Sequence, residues 1–229
     1  MKKIVVLTGA GISAESGIKT FRDADGLWEG HDIMEVASPI GWNKNKALVL
    51  DFYNKRRAQL AQVHPNEGHL ALVELEKHYK VSIITQNVDD LHERSKSSNV
   101  IHLHGELLKV RSSIYPSQIY EWKKDLNLGD LCGNNTQLRP HIVWFGEEVP
   151  MLDTAIEAVS RADILLIIGT SMQVYPAANL IHYIQPNTPI YFIDPKPSIQ
   201  ESDFPYLKIV AEKASKGVPK VVTELIDLL

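Results

Sequence analysis

The chain has 229 residues, 24 Lys+Arg against 28 Asp+Glu for a formal net charge of −4, and 44% hydrophobic against 23% charged residues, enough to bury one large core or a large domain with a smaller one attached. This composition excludes disorder and collagen-like repeats, and the acidic balance gives no global attraction to nucleic acid or to an anionic membrane surface. The single cysteine, Cys132, excludes an internal disulfide and a zinc site built from several cysteines of one chain.

The first apolar run, Ile4 to Leu7, is far shorter than the roughly 20 residues that span a bilayer, and no cleavage-site pattern follows it. The expectation is a cytoplasmic protein with a buried strand here. The strand is followed by Thr8-Gly9-Ala10-Gly11. Residues 31–63 carry Trp-and-Pro loop signals and then a helix, Lys46 to Gln62, with no strand between them. Leu70, Leu72, Val73 and Leu75 mark the next helix, and Val81 to Ile84 the next strand, which ends in Thr85-Gln86-Asn87. Val100 to Leu103 leads to His104-Gly105. Residues 108–139 mix turns, an amphipathic piece around Tyr120 to Leu126 and a polar run from Gly133 to Gln137. Ala155, Ile156 and Val159 mark a helix before the strand Ile164 to Ile168, which ends in Gly169-Thr170-Ser171. Ile190 to Ile193, ending in Asp194, and Leu207 to Val210 complete the strands, and Val221 to Leu229 the last helix.

Near-continuous apolar strands separated by helices predict an α/β fold, a parallel sheet with helices on both faces. Residues 1–30, 64–107 and 140–229 supply it, and 31–63 with 108–139 form a smaller module. Ligands of such sheets bind at the carboxyl ends of the strands, so the polar and glycine-rich strand ends predict one shared crevice.

Within that crevice Gly9-Ala10-Gly11-Ile12-Ser13-Ala14 matches G-x-G-x-x-A directly after a strand, a Rossmann-like turn that lets backbone amides approach a pyrophosphate. The second strand of a dehydrogenase, ending in a ribose-binding acid, does not follow. In His102-Leu103-His104 the two imidazoles lie on one side of the strand, as a metal pair or with one of them a general base; His104, at the strand end, is the preferred base. Tyr53 and Arg56, three apart on the predicted helix, share a face and can grip a carboxylate, although with Lys55 and Arg57 adjacent the residues alone read as a solvated face.

Gly9 to Ser13 with Ser16-Gly17-Ile18 and Phe21-Arg22, then Thr85-Gln86-Asn87-Val88-Asp89 with Leu91-His92, then His104-Gly105, then Gly169-Thr170-Ser171, together resemble the sirtuins, NAD-dependent protein lysine deacylases. Arg139 to Glu147 resembles the bacterial members. The resemblance implies that NAD is held by Gly9, Ala10, Gly11, Ala14, Phe21, Arg22, Gln86, Asn87, Val88, Asp89, Gly169, Thr170, Ser171, Asp194 and Ala214. Catalysis falls to His104 as base, with Asn87 and Asp89 at the nicotinamide end. An acylated lysine peptide adds as a strand between Val143, Phe145, Gly146 and Glu147 on one side and Val174 and Tyr175 on the other. Tyr53-x-x-Arg56 and the small Ala37 resemble the subgroup that accepts succinyl- and malonyl-lysine. The implied products are nicotinamide and O-acyl-ADP-ribose, and the nucleophile comes from the substrate, so no Ser-His-Asp triad is needed. An ADP-ribosyltransferase or NAD hydrolase, and a non-catalytic NAD or ADP-ribose binding module, are the rival readings.

The chain departs from the family in its smaller module, a zinc-ribbon equivalent without the cysteines. Most sirtuins bind zinc there through four cysteines, whereas Ser112 and Ser113 and then Leu131-Cys132-Gly133 stand in the corresponding places, so no zinc is expected. Apolar burial of Ile114, Tyr115, Ile119, Trp122, Leu126, Leu128, Leu131 and Leu138 is expected to hold the module instead. Ser95-Lys96 and Asp194 also differ from the family pattern.

Overall fold

A computed structural model describes residues 1–19, 27–28 and 30–229. The chain runs β1 (Lys3–Thr8), α1 (Gly11–Ala14), β2 (Leu27–Trp28), β3 (His31–Asp32), α2 (Ile33–Val36), α3 (Pro39–Lys44), α4 (Lys46–Leu60), α5 (Glu67–Leu75), β4 (Lys80–Thr85), α6 (Leu91–Arg94), β5 (Val100–His102), β6 (Gly105–Ser112), β7 (Ile119–Glu121), β8 (Leu138–Ile142), α7 (Leu152–Ser160), β9 (Ile164–Ile168), a 3-10 helix (Ala177–Tyr183), β10 (Ile190–Ile193), β11 (Leu207–Val210) and α8 (Ala214–Asp227). Among the described residues no helix is long and apolar enough to cross a membrane.

Six strands form the main sheet in the order β11-β10-β9-β1-β4-β5, every neighbouring pair parallel. All six are the strands expected from the apolar runs. Their central residues are mostly apolar because both faces of the sheet are covered. Ile4 and Val6 of β1, Val81 and Ile83 of β4 and Leu166 of β9 join one core with α5 and α8 residues such as Leu72 and Val221. Val5, Leu7, Ile84, Leu165 and Ile167 point the other way, into a second core with Ala155 and Val159 of α7 and Leu180 of the 3-10 helix. The chain order reverses between β1 and β9, where an open sheet of this order presents its crevice.

A third core draws Val36, Ala37 and Trp42 together with Val49, Phe52, Tyr53 and Leu60 of α4, and packs them on Val110, Leu126, Leu138 and Trp144. It therefore takes side chains from both stretches expected to be insertions. The antiparallel sheet β7-β6-β8 runs from Gly105 to Ile142, past the expected limits at 108 and 139.

Candidate active site at the strand ends

The crevice begins where β1 and β9 end side by side. A Cβ on Gly11 would stand 2.6 Å from Gly169 Cα, and one on Gly9 2.8 Å from Gly169 O. Gly169 itself has φ +60°, and a side chain there would run into the Gly11–Ile12 backbone. The amides of Gly9 and Gly11 donate to Ile168 O (3.0 Å) and Gly169 O (2.8 Å). These glycines thus let two strand-end loops interlock, and the loops together, rather than one glycine turn, make the floor of the crevice.

On this floor Ser13 joins the expected nicotinamide residues. Its buried hydroxyl donates to Asp89 Oδ2 (3.0 Å) and accepts from Asn87 Nδ2 (3.1 Å). Asp89 Oδ1 accepts from Leu91 N (3.1 Å), and the Asn87 amide N–H is held by Thr85 Oγ1 (3.0 Å). Burial pushes the Asp89 carboxyl above its usual range, against the pull of the Leu91 amide, the Ser13 hydroxyl and the charge of His102. Gln86 Nε2 reaches across to Thr170 Oγ1 (3.1 Å), tying the β4 end to the β9 end.

Three successive carbonyls fix the turn after β4: Gln86 O faces His104 Nδ1 (3.0 Å), Asn87 O faces His102 Nδ1 (3.0 Å), and Val88 O accepts from Leu107 N (2.8 Å). A carbonyl can only accept, so Nδ1 of His104 carries the proton and Nε2 keeps its lone pair. Burial lowers the pKa of His104, and its bond to Gln86 only partly restores it. The ring is therefore neutral near pH 7 and basic at Nε2. Gly105, with φ +82°, turns the chain immediately afterwards, where a Cβ would run into the His141 carbonyl.

The second group of expected residues surrounds the third core. Tyr53 is fully buried and its hydroxyl accepts from Trp144 Nε1 (2.9 Å); burial drives its pKa well above the usual phenol range. Ala37 O accepts from Phe145 N (3.0 Å), joining α2 to the Val143–Glu147 loop. Arg56 is half-buried with its guanidinium over the Phe52 ring (5.4 Å). The helix face is not the solvated one that Tyr53, Lys55, Arg56 and Arg57 suggest by themselves. Arg57 is only 4% exposed and donates to Leu107 O (3.0 Å) and Asn54 Oδ1 (2.7 Å), and desolvation lowers its pKa to about 10.

With this geometry in place the comparisons are decisive. The sequence matches the Sir2 family over residues 9–176. The chain belongs to the Sir2 family. It is 60% identical to the NAD-dependent protein deacylase of Helicobacter pylori over all of this chain and 99% of that one. A crystal structure of a Sir2 homolog–NAD complex superposes with TM-score 0.88 at 38% identity, covering 99% of this chain and 90% of that chain. A Sir2 bound to acetylated peptide superposes with TM-score 0.79 at 28% identity, covering 96% and 92%.

Other expected Sir2 positions are more dispersed. Ala14 is exposed on α1, Ala214 is buried at the start of α8, and Ser171 is half-buried beyond β9. Asp194 is 2% exposed and its Oδ1 accepts from Lys196 N (2.8 Å), so the carboxylate folds onto its own loop. Phe21 and Arg22 lie outside the described residues. Val143 is half-buried, Phe145, Gly146 and Tyr175 are exposed, and Val174 lies beside Tyr175. Glu147 holds the loop together: it accepts from Arg139 (2.7 and 3.0 Å), Arg111 (3.0 Å) and Trp144 N (2.8 Å). An open cavity of about 580 Å³ between Leu50 and Asn54 of α4 and Asp125–Leu128 contains none of the expected site residues.

Ser13 is not among the expected site residues, and the sequence offers His102 only as a metal partner of His104 or as the alternative base. Ser13 lay within the matched glycine motif, where a hydroxyl among apolar and small neighbours was the available signal. His102 lay in the H-x-H pair, but its partners come from other elements.

The small module of this Sir2 chain differs from the expected apolar bundle. Ile114, Tyr115, Ile119, Leu128 and Leu131 are exposed, and only Leu126 and Leu138 of the expected set are buried. The Tyr120–Leu126 piece is an exposed edge strand continuing into coil, because its amides are taken up by other elements rather than by a helical ladder: Trp122 N donates to Leu108 O of β6 (2.7 Å) and Leu126 N to Asn54 Oδ1 of α4 (2.9 Å). Where thiolates would bind a metal, Ser112 Oγ lies 2.6 Å from Thr136 Oγ1 and Cys132 Sγ 2.9 Å from the same hydroxyl. One thiol and two neutral hydroxyls do not make a zinc donor set. The Thr136 hydroxyl, with further help from backbone amides and Ser112, lowers the Cys132 thiol to about 7.

Proposed function

We propose that this chain is an NAD-dependent protein lysine deacylase, removing acetyl and also succinyl or malonyl groups and yielding nicotinamide and O-acyl-ADP-ribose. The observation that carries the reading is His104, a neutral imidazole with its basic Nε2 at a strand end, anchored on the same turn as Asn87 and Asp89. Family membership and the deacylase name of the Helicobacter pylori relative support it. The crevice suits NAD in one specific respect: Gly9, Gly11 and Gly169 let the β1 and β9 end loops pack backbone against backbone, with no room for a Cβ between them, at the switch point of the sheet where a dinucleotide binds.

Gly9, Ala10, Gly11, Ala14, Gln86, Val88, Gly169, Thr170, Ser171, Asp194 and Ala214, with Phe21 and Arg22, would hold the dinucleotide. When bound, NAD would supply an electrophilic ADP-ribosyl group, with nicotinamide as its leaving group, that becomes the acceptor of the acyl group. Asn87 and Asp89, locked to each other through Ser13, orient the nicotinamide end. His104 Nε2 takes a proton from a hydroxyl, and the Gln86 carbonyl steadies the imidazolium that forms. Val143, Phe145, Gly146, Val174 and Tyr175 would flank the acylated peptide; that a Sir2 of the same fold has been solved bound to acetylated peptide supports a peptide substrate. Ala37, Tyr53 and Arg56 would receive the acyl group, and Glu147 shapes that wall through Arg111, Arg139 and Trp144. The division into 1–30, 64–107 and 140–229 against 31–63 and 108–139, with no zinc in the smaller part, belongs to the same proposal.

Nicotinamide release measured with acetyl, succinyl and malonyl peptides tests it. Release that requires an acylated peptide is the expected result. Release without peptide makes the chain an NAD hydrolase, and tight NAD binding with no release makes it a binding module.

A further inference from the structure

Only one histidine of His102-Leu103-His104 has a task in the proposed reaction. The side chain of His102 is 9% exposed, and both ring nitrogens face oxygen: Nδ1 the Asn87 carbonyl at 3.0 Å and Nε2 the Glu93 carboxylate at 2.7 Å. The carbonyl has no proton to give, so Nδ1 carries one. The Glu93 carboxyl is an anion at neutral pH: burial pushes its pKa up, but the bond and charge of His102, with a backbone hydrogen bond and the charge of Lys109, together outweigh this and hold it below the usual range. Two acceptors require two donors, and an imidazole with two N–H groups is a cation.

We propose that His102 is an imidazolium at neutral pH and a positioning residue, clamping the Asn87 turn to α6 through Glu93 and setting a positive charge beside buried Asp89. The role rests on the reading of Asn87 and Asp89 as the nicotinamide end of the site. Asp89 is 7% exposed and receives hydrogen bonds from Ser13 and Leu91, both neutral donors. A carboxylate in that position needs a nearby cation to stay ionised, and the charge of His102 acts in that direction.

The surrounding charges are arranged to keep the ring protonated. Glu93 of α6 contacts it, and Glu106 of β6 adds a second anion, itself paired with Lys109 (2.9 Å). Burial lowers the pKa of His102, but the Glu93 hydrogen bond and charge, the Asn87 carbonyl and Glu106 raise it further, and the net shift is upward. His92 on α6 is held neutral by burial, and Asp90 is paired with Arg94 (2.9 Å). The charge is present below the raised pKa and lost as pH rises through it, so NAD binding weakens over that range.

The test combines nitrogen-15 NMR of histidine-labelled protein with calorimetric NAD affinity across pH, on wild type, Glu93→Gln and His102→Gln. At pH 7 both His102 nitrogens are expected in the protonated range, the resonances being those lost in His102→Gln or, should that variant not fold, those displaced in Glu93→Gln. Affinity is expected to fall about tenfold as the ring titrates, and Glu93→Gln to move both changes down by roughly one pH unit. A His102 with one bare nitrogen at pH 7, or an affinity profile unmoved by Glu93→Gln, overturns the proposal. Wild type that binds NAD with the expected pH dependence but releases no nicotinamide on acyl peptides defeats the deacylase reading and leaves the His102 charge standing.

Discussion

At the residue scale the chemistry turns on hydrogen bonds that assign protons. His104 donates from Nδ1 and is basic at Nε2, so His104→Ala removes the base without touching the glycine floor. It is expected to keep NAD affinity within a factor of about two and to lose at least about 100-fold in deacylation, the usual worth of a general base, as calorimetry and single-turnover kinetics would measure. Arg56 is a different kind of residue, a charge at the rim of the core that contains Tyr53 and Ala37. Arg56→Met is expected to cost about 10- to 100-fold in kcat/KM on succinyl peptide, the worth of a charge-assisted hydrogen bond, and under threefold on acetyl peptide. Equal losses on the two substrates would remove Arg56 from acyl recognition. The residues on which the proposal rests were legible where the signal is local, as in the glycine turn and the His104 strand end, whereas Tyr53-x-x-Arg56 stood out only through the family resemblance. The roles of Glu147, Asp194 and His102 were not legible, because each is set by partners outside its own motif or by its loop's fold: two arginines from β6 and β8, the Lys196 amide, and Glu93 with the Asn87 carbonyl.

At the element scale the main sheet and the small module illustrate opposite limits of reading. Strands covered on both faces are written as runs dominated by Val, Ile and Leu, broken in β4 by Ser82 and in β11 by the exposed Lys208, and β1, β4, β9, β10 and β11 could be placed from those runs. Strand β7 is exposed along all three residues and carries no such pattern. The loop between β7 and β8 is tied by Gln137 instead: its Nε2 lies 3.0 Å from Asn127 O, 3.1 Å from Asp130 O and 3.0 Å from Leu138 O, while its Oε1 accepts from Gly129 N at 2.9 Å. Together with the Ser112–Thr136–Cys132 cluster this polar knot lies in the segment where a metal would otherwise be sought. Gln137→Ala is expected to destabilise the protein by about 1–3 kcal/mol, since it strands several backbone groups at once, whereas a strong chelator should leave Tm unchanged. Urea melts of the variant, and a thermal melt with and without chelator beside elemental analysis, check the two halves. Stoichiometric zinc with a chelator-dependent Tm would replace the knot with a metal.

At the scale of the whole molecule the buried histidines govern how the fold responds to acid. His69 on α5 and His92 on α6 stack with ring centroids 4.9 Å apart, both almost fully buried, behind the β1 end where Thr8 Oγ1 meets His92 Nε2 at 3.2 Å. Burial lowers His69 to about 4 and His92 well below its usual value, and burial with nearby arginines lowers His141 to about 4. In the unfolded chain each titrates near 6.5, so between that pH and about 4 the unfolded state binds more protons and stability falls as pH falls. His102 and Asp89, whose pKa values are raised, oppose the trend, because folding favours their protonated forms. Four histidines, His104 with the three above, act against these two groups, and the net expectation is a protein stable at pH 7 to 8 that weakens steeply below pH 6. His69 can be isolated because its Nδ1 accepts from Asn66 N (3.3 Å) at the cap of α5, a bond that a glutamine side-chain oxygen can replace. In urea melts at pH 7.5, 6 and 5, His69→Gln should flatten the loss of unfolding free energy by the share of one histidine, on the order of 1–2 kcal/mol by pH 5. A variant whose pH dependence parallels wild type would show that His69 takes up its proton in the folded state as readily as in the unfolded one, and the acid response would then have to come from His92, His104, His141 and the paired carboxylates.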